Sequence, residues 1–305
     1  MNLDFSKINV LLIGDFMVDY YIYGKSDRQS PEAPIPVMNI QKVDFFPGGA
    51  GNVAMNLKSL GASVTCLGYV GNDKPGESLI KVLNDEGINC NYLSTEETIT
   101  TVKKRYFVNN IQTLRIDDEV IRKNWKPKSL SKLNIQSFDV IILSDYNKGV
   151  LNNDWFRGIE LNNIITDPKK DNFSFYSNTG IITPNLNELK RASKININNL
   201  NSIKKACHKI LSESNLKYII AKMGEKGMMV FGKNNYVKII DPHYVEKPDV
   251  TGAGDTVIAT FSLAYSKFKD VELSAKIANA AASVVVSKKG TAVVKTKEID
   301  SLFAE

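Results

Sequence analysis

Cysteine is scarce in this chain: 305 residues contain only Cys66, Cys90 and Cys207, with no C-x-x-C pair. An odd, scattered set excludes a disulfide framework and points to a reducing compartment, with the thiols simply packed. Histidine is rarer still, and His208 and His243 read as surface or satisfied structural residues. No stretch approaches the ~20 apolar residues that a membrane span needs. The start, "MNLDFSKINVLLIGD", lacks a basic beginning and its apolar run is too short for a signal peptide. These absences predict a cytoplasmic protein without a membrane partner. There is no internal repeat, low-complexity tract or Pro/Ser-rich linker, which favours one core. Strong charge of one sign is missing too: 39 basic against 33 acidic residues leave a spread net charge of +6. The densest basic cluster, "TVKKRYF" at 101–107, alternates with apolar residues. That is a strand pattern, not a nucleic-acid arm, while the mild positive balance suits anionic small molecules.

What is present describes a soluble α/β protein. Hydrophobic residues make up 43% and charged residues 24%, and the length suits one large α/β domain or two small ones. "INVLLIG" at 8–14 is a continuous apolar run ending in glycine, the pattern of a buried parallel strand. Strand-like runs and helix-like stretches then alternate through "GNVAMNLKSLG", "ASVTCLGYVG", "GESLIKVLNDEG", "FDVIILSD", "NNIITD" and "GIITPN". Alternation of this kind predicts a mostly parallel sheet with helices on both faces. Segments 20–47 and 98–119 break the rhythm by alternating apolar with polar residues. They read as exposed antiparallel strands, the second a hairpin turning near "NNIQ", and together as a small β lid. Near the C-terminus, "VELSAKIANAAASVVVSKKG" is so rich in Ala and Val that it predicts a helix buried on most sides.

The turn "TGAGD" precedes a strongly apolar helix. Gly252, Ala253 and Gly254 lack bulk, so successive N–H groups can meet one anion at the helix start. Asp255 falls in the first helical turn, where an aspartate also serves as a plain cap. Phosphoryl transfer gives it a chemical role, as acceptor of the proton of an attacking hydroxyl beside the anion cradle. That chemistry needs a hydroxyl-substrate site, a metal and nucleotide site, and a lid. "GDFMVD" at 14–19 ends the first strand and offers Asp19 to sugar hydroxyls. "PGGAGN" at 47–52 offers close backbone approach at Gly48 and Gly49, with Asn52 as a polar contact. "TPNLNE" at 183–188 sets Asn185 and Glu188 three apart, able to face one metal-bound water shell. Each stretch alone also reads as a strand-end cap, a tight turn or a solvated helix start.

Taken in order, "GDFMVD", "PGGAGNVAMNLKSLGA", "PNLNE" and "DVTGAGDT" resemble the ribokinase-like (PfkB-type) carbohydrate kinases over nearly the whole chain. "SPEAPIPV", "LSDYNKGVL", "DPKK" and "ANAAASVVVSKKGTA" sharpen the resemblance. With them the chain looks most like the kinase half of bifunctional heptose-7-phosphate kinase/heptose-1-phosphate adenylyltransferases. The resemblance implies a ribokinase-like fold, a single kinase domain over 1–305, ATP as co-substrate and Mg²⁺, and it leaves open a monovalent cation. It implies Asp255 as catalytic base, with Gly252, Ala253 and Gly254 as the anion hole. Asn185, Leu186, Asn187 and Glu188 match the nucleotide-contacting stretch, with Glu188 acting on Mg²⁺ through water. Asn279 lies in the helix that would flank the adenine, or packs that helix. Asp19, Gly48, Gly49 and Asn52 match the sugar site.

Lys148 and Lys169 are candidates for phosphate or sugar contacts. Lys103 and Arg105 lie two apart on one strand face, so they could clamp a substrate phosphate, with Arg28 as a third cation; a charged edge strand is the plain alternative. The implied reaction is phosphorylation of the anomeric hydroxyl of D-glycero-D-manno-heptose 7-phosphate, in a homodimer paired through the lids. Another sugar or sugar phosphate is the alternative substrate, and a non-catalytic sugar- or nucleotide-binding regulator is the alternative class. The bifunctional relatives also carry an H-x-G-H nucleotide site. Neither histidine here lies in one, so the adenylyltransferase step is expected from a partner enzyme.

Overall fold

The computed structural model describes residues 2–128, 130–152, 155, 163–177 and 179–303. Strand β1 (Asn9–Gly14) is buried beyond its first residue because its alternate side chains enter different cores. Val10 and Leu12 join one apolar cluster, and Leu11 and Ile13 another. Parallel strands β4 (Ser63–Gly71) and β8 (Val140–Ser144) flank β1. The sheet extends through β5 (Asn89–Glu96) on one side and through β9 (Ile164–Asp167), β10 (Ile181–Ile182) and β11 (Tyr218–Lys222) on the other. All these pairings are parallel, while β12 (Met228–Gly232) and β13 (Val237–Ile240) close the edge antiparallel. The chain steps from β1 outward on both sides, so β1 borders the crevice where open α/β sheets bind ligands.

Helix α1 (Ala50–Ser59) packs beside α5 (Ala253–Phe268) and α6 (Val271–Val286) on one sheet face. Burying a residue such as Leu57 of α1 contributes about 1.5–3 kcal/mol, which fixes the rotation of the helix and so the direction of its polar Asn52. As expected from composition, α6 is buried over most of its surface. Helices α3 (Leu186–Ser193) and α4 (Leu200–Ser212) cover a second cluster with β11 and β12. The expected helix after a strand is missing between β9 and β10, where the described residues hold a 3₁₀ turn, Phe173–Tyr176. Helix α2 (Lys74–Asp85) follows β4, and α7 (Thr296–Ser301) ends the described helices. All three cysteines are free and buried, and among the described residues no helix is long and apolar enough to cross a membrane.

The lid is a four-stranded sheet in the order β3 (Pro36–Gly49), β2 (Phe16–Gln29), β6 (Thr101–Val108), β7 (Ile111–Asp118). The β6–β7 hairpin turns at Asn109 and Asn110, both in the left-handed region that a two-residue hairpin demands. Two expectations need correction. The central pair, β2 with β6, is parallel, not antiparallel. The strands also begin four residues before 20 and run on to Gly49, with Phe16, Met17 and Val18 buried. Only Asp15 separates β1 from β2, so one extended segment leaves the large sheet and enters the lid without a loop.

Candidate active site

The chain enters α5 through Gly252, whose φ of 75° is a conformation that glycine adopts without steric cost. No side chain caps this helix. The Ala253 N–H turns back to the Val250 carbonyl, while the N–H groups of Gly254 and Asp255 have no acceptor among the described residues. Of the expected cradle, Ala253 N–H is thus engaged, while those of Gly252 and Gly254 keep no acceptor among the described residues and are joined by that of Asp255.

Asp255 lies beside these donors and is 6% exposed. Its Oδ2 accepts from Asn52 Nδ2 at 2.8 Å and its Oδ1 from the Tyr146 hydroxyl at 2.5 Å. Asn52 has little choice of orientation. Its own Oδ1 accepts from Asn56 Nδ2, and Asn56 Oδ1 accepts from the Thr256 hydroxyl, so the amide must offer its NH₂ to Asp255. Burial pushes the Asp255 carboxyl up to about 6, against the opposing pull of the hydrogen bonds from Tyr146 and Asn52. A carboxylate of that basicity is ionised at neutral pH yet able to take a proton.

Tyr146 sits in the loop after β8, and Asp15 fastens that loop. The Asp15 carboxylate accepts backbone N–H groups of Tyr146 (2.8 Å), Lys148 (3.0 Å) and Val150 (3.1 Å). Burial and the charge of Asp145 push its carboxyl up to about 6. Both Asp15 and Tyr146 lie within stretches already singled out, yet neither carries a signal of its own. Asp15 precedes the more prominent Asp19, and Tyr146 meets its partner 109 residues away.

On the lid side, Asp19 is found in β2 and not at the end of β1, and it is paired with Arg105 of β6. Gly48 and Gly49 make room for the protein's own groups. A Cβ on Gly48 would lie 2.4 Å from Asp19 Oδ2, and one on Gly49 (φ 55°) would lie 2.6 Å from the Asp15 carbonyl. Lys103 and Arg105 do share a face. Lys103 lies opposite Asp19 and Arg105 opposite Tyr21. The Lys103 ammonium sits 5.3 Å from the Tyr146 ring centre and has no ion-pair partner among the described residues. Burial pushes its pKa down, with Asp19 and Asp117 opposing. Arg28 is exposed on β2, seven residues beyond Tyr21, hence roughly 20 Å along the strand. It cannot join these two cations within one chain.

Asn185 and Glu188 close a capping box on α3, at 2.9 Å in each direction. Lys169 pairs with Glu188 at 3.2 Å and Lys148 with Glu119 at 2.6 Å. Leu186 packs against the α3–α4 cluster, Asn187 is exposed, and Asn279 donates to the Asp241 carbonyl at 2.8 Å. One pair escaped the sequence reading, Asp167 with Lys222, steadied by the Thr183 hydroxyl at 2.8 Å. These residues end β9 and β11, and a Cβ on Gly254 would lie 3.4 Å from Lys222 Nζ. Ammonium and carboxylate thus flank the cradle. Charged residues ending parallel strands are the one signal that could have found them.

Among the described residues no three His, Cys, Asp or Glu side chains gather as a metal cage. Two lysine-paired carboxylates, Asp167 and Glu188, near enough for the charge of Glu188 to act on Asp167, suit a hydrated divalent ion carried in by a polyphosphate.

Comparison with known proteins gives the same direction. Residues 7–298 match the pfkB family carbohydrate kinase profile. Bifunctional protein HldE of Campylobacter curvus is 38% identical over 308 residues, covering 97% of this chain and 65% of that protein. HldE of Sulfurimonas denitrificans is also 38% identical, with 97% and 64% covered. The chain thus spans about 65% of the length of these relatives. Among solved structures, Arabidopsis thaliana ribokinase complexed with ribose and ATP superposes with a TM-score of 0.78 at 20% identity, covering 98% of this chain and 99% of that one. Phosphofructokinase-2 from Escherichia coli gives 0.77 at 18%, covering 97% and 98%. Those two identities carry the fold alone, and the profile carries the family. With a ribokinase-like fold throughout and a family match over nearly its whole length, this chain belongs to the pfkB family of carbohydrate kinases.

Proposed function

We propose that the chain transfers the terminal phosphoryl group of ATP to the anomeric hydroxyl of D-glycero-D-manno-heptose 7-phosphate, giving the 1,7-bisphosphate. The observation that carries the transfer is Asp255, a buried carboxylate with raised basicity beside the uncapped start of α5. The acceptor hydroxyl gives its proton to Asp255 as its oxygen bonds to phosphorus. The bond to the leaving oxygen of ADP then breaks, with the electron pair staying on ADP. Gly254 and Asp255 N–H groups stabilise the charge on the phosphoryl oxygens. Mg²⁺ would be held through water by Glu188 and Asp167 and would screen the phosphate charge when bound. Asp19 orients the sugar, and Arg105 keeps that carboxylate from repelling an anionic substrate.

The heptose assignment rests on the resemblance to the bifunctional kinases together with the basic inner face of the lid. Lys103 is half-buried without a carboxylate partner among the described residues, and a phosphate on the far end of the sugar would complete it. Lys103→Ala is therefore expected to raise KM for the phosphorylated sugar about tenfold or more, with kcat less affected. Arg105→Ala should lower kcat as well, because it leaves the buried Asp19 unpaired. An unchanged KM in both would remove these cations from the phosphate site.

The outer face of the lid exposes Ile40, Val43, Leu114 and Ile116, an apolar surface consistent with pairing of two lids in a homodimer. Such a kinase would work in the cytoplasm, where ATP and sugar phosphates are available. An ADP-release panel of free and phosphorylated heptoses, hexoses and pentoses tests the substrate. Turnover confined to a heptose 7-phosphate supports the assignment, and preference for a hexose phosphate replaces it.

A further inference from the structure

Tyr146 joins three parts of the molecule that lie far apart in sequence. Its hydroxyl donates to Asp255 at the start of α5, and its ring lies beneath Lys103 of lid strand β6. Its backbone N–H is held by Asp15, the single residue between β1 and the lid. The loop that carries it has little latitude. Asn147 (φ 58°) and Gly149 (φ 111°) occupy left-handed conformations, and a Cβ on Gly149 would strike the Arg122 carbonyl. Asp15 also clamps the N–H groups of Lys148 and Val150. A tyrosine fixed in this way is a preset donor aimed at one carboxylate oxygen.

We propose that Tyr146 is a positioning residue for the phosphoryl transfer, holding the Asp255 carboxylate ionised and aimed into the cradle. The proposal rests on the reading of Asp255 as base. A phenol donating to a carboxylate stabilises the anion and not the acid. Burial, with the charge of Asp255, keeps the phenol well above its ordinary pKa, so it remains a neutral donor over the working pH range. The other groups facing Asp255 are Asn52 from α1 and the Asp167–Lys222 pair from β9 and β11. Tyr146 in turn is faced by Lys103, Asp19 and Asp167. None of these is removed by deleting one hydroxyl.

The test is the pH dependence of kcat/KM for the full chain as wild type, Tyr146→Phe and Asp255→Asn, with ATP, Mg²⁺ and the sugar that the panel selects. Titration of the substrates is common to all three and cancels in the comparison. Loss of the donor raises the basicity of Asp255, so the acid limb of Tyr146→Phe should move up by about one unit. Its rate should be roughly fivefold below wild type at pH 6 and should converge with it above pH 8. Replacing Tyr146 with 3-fluorotyrosine, a stronger donor of nearly the same shape, should move the limb down. That arm also serves if Tyr146→Phe folds poorly.

Limbs that coincide, or a uniform loss at every pH, with Asp255→Asn inactive, would overturn the role of Tyr146 and leave the base standing. An active Asp255→Asn would instead remove the base reading itself.

Discussion

Asp255→Asn is expected to lower turnover by about 10²- to 10⁴-fold while nucleotide binding persists. Equilibrium binding of ADP and single-turnover kinetics would separate the two effects. The stability consequence has the opposite sign. In the folded protein the Asp255 carboxyl titrates at about 6, against an ordinary value of 3.8. Between those values the native state holds the proton more tightly than the unfolded chain, so ionisation of Asp255 costs stability as pH rises toward 6, and that cost persists above it. The ceiling is about 3 kcal/mol. The amide recovers only part of it, because one carbonyl oxygen cannot satisfy both the Tyr146 hydroxyl and the Asn52 NH₂. The variant should thus melt no lower than wild type at pH 8, with its relative advantage shrinking toward pH 5. A protein that is both inactive and much less stable at pH 8 would mean that the carboxylate serves the fold and not the chemistry.

The second large effect separates two glycines in one turn. Gly252→Ala places a side chain at φ 75°, which costs about 1–2 kcal/mol in backbone strain. Its Cβ would also lie 2.7 Å from Asn52 Nδ2. Asn52 cannot simply yield, because Asn56 and Thr256 lock its amide. The bond from Asn52 to Asp255 should break, turnover should fall by about 10²-fold or more, and the melting temperature should drop by a few degrees. Gly254→Ala is a different case. Gly254 lies inside α5, its Cβ would meet Lys222 Nζ at 3.4 Å and Asp167 Oδ2 at 3.9 Å, both ordinary contacts, and alanine in a helix gains up to about 1 kcal/mol. That variant should keep or raise its melting temperature, yet lose phosphate affinity because the methyl group projects toward the cradle. Undiminished ATP affinity and turnover in Gly254→Ala would show that the start of α5 does not hold the phosphoryl group.

Local signals made much of this site readable. "TGAGD" announces an uncapped helix start because small residues and a first-turn acid are neighbours in the chain, and α5 begins there. "PGGAGN" announces α1, and Asn52 does reach the site. The lid hairpin follows from two asparagines able to adopt left-handed turn geometry. For other candidates the sequence did not show the protein partners they have in the fold. Asn185 and Glu188 satisfy each other across a capping box, and Lys148 and Lys169 answer carboxylates that sequence order does not bring near. Arg28 failed through distance alone, since a strand advances about 3.3 Å per residue whatever its side chains carry.

Sequence by itself determined the mostly parallel α/β architecture and the family, and it singled out Asp255 as the candidate base. Each of these depends on periodicity or on residues within a few positions of one another, where backbone geometry converts spacing directly into place. Tertiary structure alone decided what surrounds Asp255. Tyr146, Asn52, Asp15 and the Asp167–Lys222 pair come together only when separate strand ends and helix starts converge at one edge of the sheet. Packing in the apolar cores sets that convergence, and a buried carboxylate takes its basicity from the water it has lost and the donors it has met. Neither quantity is a property of the residue itself, so neither could be read before the chain was folded.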